Sequence, residues 1–149
     1  MSSGDSSHRA RSLARRLALQ ALYQMQINPL PWQDVQLQFA ADPEAERVDR
    51  EYFRRLIEGV APHREALDSR LSGLCEIPPQ ELDPIEHAVL WLGLHELQSC
   101  PELPYRVALA EAVQLAKQFG ATDGHKFVNA VLDRAAQETR PHEYGRALD

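Results

Sequence analysis

Apolar residues recur along this chain with the period of a helix. In 104–119, Tyr105, Ala108, Leu109, Ala112, Leu115, Ala116 and Phe119 share one stripe at about 100° per residue, with Arg106, Glu111, Gln114 and Lys117 mostly off it. In 124–139 the stripe is Val128, Val131, Leu132, Ala135 and Ala136, with Thr122 or Asp123 available as the N-cap. The run from Ile85 to Leu94 is apolar nearly all round, which predicts the central, most buried helix. Pro104 suits a first helical turn, and Gly120 suits the left-handed position just past a helix end. Ten prolines punctuate the chain, and the stretches between them predict helices at about 8–27, 32–41, 44–60, 62–75, 84–99, 104–119 and 124–139. No stretch alternates with the period of a strand, and Asp123-Gly124 separates two helical patterns rather than two strands. The expected fold is all-α. Residues 1–7, rich in Ser, read as a disordered N-terminal tail and 141–149 as a frayed C-terminal tail, flanking one helical domain at 8–140.

Composition narrows the class without naming a function. With 149 residues, 44% of them hydrophobic and 26% charged, the chain has the makings of a globular domain with its own core and is not a disordered one. The net charge of -6 argues against a generally basic nucleic-acid binder. The charge is uneven, however: Arg9, Arg11, Arg15 and Arg16 face only Asp5 within the first sixteen residues, and everything after them is net acidic. A basic start on an acidic body points to a local anion site. Two cysteines, Cys75 and Cys100, make neither a disulfide framework nor a metal cluster, so a reduced, cytoplasmic setting is expected. No apolar run is long enough for a membrane span, and the arginines have no apolar segment directly behind them as a secretory signal would.

The chemistry of an enzyme is not legible. His87 and His95 lie eight residues apart, the wrong spacing for a metal pair on one helix face, and no HExxH, CxxC, phosphate loop or dinucleotide fingerprint occurs. Nothing marks a nucleophile. The expectation is a non-enzyme with no cofactor and no metal.

Two constellations stand out. On the first helix, Arg9, Arg16 and Tyr23 repeat at heptad spacing, within about 40° of one another and away from the apolar stripe Ala10, Leu13, Ala14, Leu17, Ala21 and Met25. Such a row is either a solvated face or an interface, since Tyr and Arg concentrate at binding hot spots and Arg grips phosphate bidentately. The second is the turn from Phe119 to Phe127. Its helix start, Lys126 and the aromatic face of Phe127 suit single-stranded nucleic acid, held by phosphate contacts and base stacking. The structural alternative is Phe127 packed against Val131 at the edge of the core, beside a solvated lysine.

At these residues the sequence resembles the NusB family of transcription antitermination factors. The resemblance is carried by 9–26 (RARSLARRLALQALYQMQ), 52–60 (YFRRLIEGV), 86–97 (EHAVLWLGLHEL) and above all 103–132 (LPYRVALAEAVQLAKQFGATDGHKFVNAVL), and it spans about residues 9–141. It implies about seven helices in two packed helical subdomains and no catalytic activity. It also implies binding to boxA RNA of ribosomal RNA leader transcripts, jointly with the ribosomal protein NusE, within an RNA polymerase antitermination complex. By position, Arg9, Arg11, Arg15 and Arg16 match the family's RNA-binding arm. Lys126 and Phe127 match its RNA-contacting pair, and Asp123 an acidic residue that tempers affinity. Tyr23 and Glu86 match the NusE interface. Trp91 departs from the polar residue expected there and marks either a different interface or an extra core contact. Self-association, known for some members, stays open as a homodimer. Two alternatives remain at this point: the NusB-like module of a ribosomal RNA methyltransferase, and a helical adaptor without RNA contact. The first needs a further α/β domain, and the Met1 start and apparent C-terminal tail favour a complete protein.

Overall fold

Acidic caps and prolines set the helix starts. In a computed structural model the backbone is described for residues 3–148 and side chains for 7–145; residues 1, 2 and 149, part of the expected tails, lie outside the described residues. The chain divides into two units, Met1–His63 and Arg64–Asp149.

The first unit holds α1 (Ser3–Ile27), α2 (Trp32–Ala40), a 3-10 turn (Pro43–Arg47), α3 (Arg50–Val60) and a second short 3-10 turn (Ala61–His63). The helix predicted at 44–60 is therefore broken. Asp42 accepts a hydrogen bond from the Glu44 N–H at 2.8 Å and opens the 3-10 turn; Asp49 accepts from the Tyr52 N–H at 2.9 Å and opens α3. Two caps seven residues apart leave extended backbone at Val48 between them. The Asp49 N–H also donates to the Ala10 carbonyl at 3.1 Å, tying the start of α3 to α1. On α1 the buried band includes the predicted Ala14, Leu17, Ala21 and Met25, and widens to Ala18, Leu19 and Leu22.

The second unit holds α4 (Arg64–Ser72), a 3-10 turn (Pro79–Glu81), α5 (Pro84–Ser99), α6 (Tyr105–Phe119), α7 (Gly124–Thr139) and α8 (Pro141–Leu148). Asp83 caps α5, accepting from the N–H groups of Ile85 and Glu86, and Pro84 occupies the first turn. Every residue of α5 from His87 to Leu97 is buried, as its all-round apolar pattern predicts. A Cβ on Gly93 would lie 2.5 Å from Leu132 Cδ1, so glycine is what lets α5 approach α7 this closely. Trp91 is a core contact: it is 3% exposed, donates to Asp68 Oδ1 at 2.8 Å, and packs with its ring tilted 45° to that of His87, which donates to the same oxygen at 2.6 Å.

Residues Pro141–Leu148 form a helix where composition suggests a tail. The reason is tertiary. Buried Arg140 donates to the carbonyls of Leu97, Cys100 and Leu103, closing the end of α5, and pairs with Glu143. Glu143 also accepts from the Tyr105 N–H at the start of α6, and Tyr144 donates to Asp133 of α7. Among the described residues there are eight α-helices and no strand. Seven of them follow the proline-bounded pattern.

Candidate nucleic-acid interface

The arginines of α1 fall into two pairs on opposite sides of the helix. Arg9 and Arg16 are seven residues apart and share a face; Arg11 and Arg15 are four apart and share another, about 200° round. Arg9 and Arg16 are exposed. Arg11 sits 3.7 Å from Asp49 and over the Tyr52 ring, its guanidinium 4.6 Å from the centroid. Arg15 is only 2% exposed, with Nη2 donating to the Tyr52 hydroxyl at 3.5 Å and the guanidinium 5.2 Å from the same ring. The expectation that all four form an RNA arm needs correction at Arg15: its charged group lies inside the unit, where it holds Tyr52. Heptad arithmetic already separates the pairs, and Tyr23 continues the outer row as a half-buried side chain.

Beside that outer row runs a groove of about 660 Å³. Its exposed rim carries Arg9, Arg16, Arg47 and Glu44; Ala10, Leu13, Leu17 and Val48 form its less exposed apolar lining. Arg47 and Glu44 come from the 3-10 turn, brought to α1 by the Asp49–Ala10 hydrogen bond nearby. Sequence reasoning missed them, because no periodicity links a short turn to a distant helix.

In the second unit the turn between α6 and α7 differs from expectation in its backbone. Gly120 is not left-handed; it is extended (φ -90°, ψ -177°), and what excludes a side chain is the Ala116 carbonyl, 2.8 Å from a would-be Cβ. The left-handed residue is Asp123 (φ 69°), whose side chain makes no capping bond to α7. Its carboxylate instead lies 3.3 Å from Lys126 Nζ, both groups well exposed. Phe127 is half-buried, leaving part of its ring to solvent.

Glu86 lies beneath this turn. It is half-buried, accepts a hydrogen bond from the Ala121 backbone N–H, and its Oε2 occupies the space a Cβ on Gly124 would need. Burial pushes its carboxyl above the ordinary range, Asp83 adds to the shift, and the Ala121 N–H opposes it. Glu86 is thus a seat for the turn that carries Lys126 and Phe127, a role its position in the sequence did not reveal. Among the described residues no group of three or more His, Cys, Asp or Glu is placed to hold a metal ion, and no helix is long and apolar enough to cross a membrane.

These features define an all-helical protein with a basic first helix and a separate turn pairing a lysine with an aromatic ring. The NusB family model matches residues 12–137, and the chain belongs to the NusB family. It is 46% identical over 138 residues to the transcription antitermination protein NusB of Methylobacillus flagellatus, covering 93% of this chain and 90% of the relative. Over 132 residues it is 45% identical to the NusB of Idiomarina loihiensis, covering 89% and 95%. Among solved structures, T. maritima NusB superposes with a TM-score of 0.81 at 27% identity, over 91% of this chain and 96% of that one. A NusB chain crystallised with NusE and double-stranded RNA superposes at 0.76 with 23% identity, over 87% and 98%, which bears on the fold alone.

Proposed function

We propose that this chain is a cytoplasmic, non-catalytic transcription antitermination factor that binds boxA RNA of ribosomal RNA leader transcripts together with NusE, within an RNA polymerase antitermination complex. The observation that carries this reading is family membership along nearly the whole chain, joined to relatives named as transcription antitermination proteins. The chain's own surfaces support it. The first unit offers Arg9 and Arg16 as exposed phosphate ligands on one helix face, with Arg11 partly engaged by Asp49. Arg15 then serves RNA binding only indirectly, by fixing Tyr52. The second unit offers Lys126 for phosphate and the open part of Phe127 for a base, while Asp123 competes with RNA for Lys126. Tyr23 is the aromatic anchor for NusE. Glu86 contributes to that interface through the turn it supports. A titration of boxA RNA against a scrambled sequence, with and without NusE, tests the reading. A boxA preference that strengthens with NusE is expected; equal affinity for both RNAs in both conditions overturns it.

A further inference from the structure

The groove beside α1 combines two chemistries that a phosphate site alone does not need. Three arginines, Arg9, Arg16 and Arg47, stand on its exposed rim against one carboxylate, Glu44. Between them lie the apolar side chains of Ala10, Leu13 and Val48, all half-buried, and Leu17, 4% exposed, with half-buried Gln20 beside them, so the groove is mixed rather than purely polar. In a chain of net charge -6 this excess of fixed positive charge is local. It therefore selects an anion that arrives at this spot rather than drawing polyanions over the whole surface. A volume of about 660 Å³ exceeds what a phosphate fills and lies within the ~300–1,000 Å³ of pockets that enclose a small organic ligand.

From this combination we infer that the groove seats one unpaired nucleotide of the bound RNA, its base against the apolar lining and its flanking phosphates on the arginine rim, with Arg47 an RNA ligand in its own right. The inference rests on the RNA reading above and makes it more specific. Base and phosphate both matter. An aromatic base turned out of a stack regains apolar contact in such a groove, and guanidinium groups grip the phosphates on either side. Glu44 is acceptor-only, so it faces the N–H donors of a base edge and repels a phosphate, which orients the nucleotide along the groove. Duplex RNA has no unpaired base to offer, so the seat belongs to single-stranded RNA.

The test uses the full chain and short single-stranded boxA RNAs in which each base in turn is removed, leaving the backbone intact. Two abasic positions should weaken binding: the one at Phe127 roughly 5- to 150-fold, the range for loss of a base stacked on an aromatic ring, and the one at the groove, which offers aliphatic contact, by less. The penalty at one position should disappear in Phe127→Ala. The other should survive Phe127→Ala and disappear in Ala10→Phe, which fills the groove without changing its charge. Arg47→Gln, an exposed substitution, should independently flatten the slope of log affinity against log salt by about 0.7, as for one phosphate on single-stranded nucleic acid. If Ala10→Phe loses its helical spectrum, the abasic scan in Phe127→Ala and the Arg47→Gln slope decide the matter. BoxA-specific binding with a single sensitive position, assigned to Phe127, and an unchanged Arg47→Gln slope overturns the nucleotide seat while leaving the RNA reading intact. No boxA preference in the unmodified chain, with or without NusE, overturns both.

Discussion

Four arginines within eight residues look interchangeable in the sequence, and the structure gives them different work. Arg15 is buried against Tyr52, so Arg15→Ala should destabilise the protein by about 1–3 kcal/mol in urea unfolding, because it removes packing of the alkyl stem and bonds of a buried charged group. Arg16 is exposed; Arg16→Ala should leave stability within about 0.5 kcal/mol and reduce the salt slope of RNA binding by about 0.7. Equal stability of both variants would contradict the buried placement. Glu86 offers a second contrast, read through pH. Burial raises its folded-state pKa above the unfolded value, so the folded protein holds that proton more tightly than the unfolded chain. The stability this gives is fully present below the unfolded pKa of about 4.3 and is lost as pH rises through the folded value. Glu86→Gln keeps an acceptor for the Ala121 N–H but cannot titrate. Its stability relative to the unmodified chain should therefore improve between about pH 4 and pH 7. Parallel urea midpoints across that range would show the carboxylate to be effectively in water.

At the scale of elements, periodicity and proline placed seven helices, since each has a continuous apolar stripe or an all-round apolar run and a marked start. What they did not place depends on partners distant in sequence. The start of α3 after Val48 is tied to α1 by the Asp49 N–H donating to the Ala10 carbonyl, and α8 is held by Asp133 of α7 and the start of α6. The outer row Arg9, Arg16 and Tyr23 was legible by heptad spacing, whereas Arg47 in the groove and Glu86 under the turn were not, because tertiary contacts bring them there. The contact between α5 and α7 is the most sensitive packing point. Gly93→Ala would place a methyl within 2.5 Å of Leu132, itself fully buried, and should destabilise by about 1–3 kcal/mol through overpacking. A thermal midpoint unchanged from the unmodified chain would mean that the helices separate freely. The turn before α7 gives the opposite expectation. Asparagine tolerates the left-handed backbone of Asp123 and carries no charge, so Asp123→Asn should keep the turn and release Lys126. RNA affinity should rise, most at low salt where the exposed pair is least screened. Unchanged affinity at low salt would remove Lys126 from the RNA contacts.

For the whole molecule, charge limits how RNA can be bound. Met1–His63 holds eight Lys or Arg and eight Asp or Glu, whereas Arg64–Asp149 holds eight basic side chains against fourteen acidic ones. The first unit is therefore neutral overall, with three of its eight arginines, Arg9, Arg16 and Arg47, at the groove, and the second is acidic apart from local cations such as Lys126. Outside these places the surface repels phosphate, and within about 10 Å at moderate salt the repulsion is not screened away. Arg9, Arg16, Arg47 and Lys126 give four candidate phosphate ligands, and single-stranded nucleic acid loses about 0.7 in log–log salt slope for each. The isolated chain should thus bind boxA RNA with a slope of about -3 or shallower, measured by titration across a salt series. Affinity should rise with NusE present, and a steeper slope in its presence would show that the partner adds phosphate contacts of its own. A slope near -6 for the isolated chain would require phosphate contacts beyond these four and would place the RNA on a different surface. A shallow slope with base-dependent affinity fits a protein that discriminates by seating bases and leaves much of its electrostatic attraction to a partner. Random transcripts are then held weakly, because they meet few cations and lack the bases that fit.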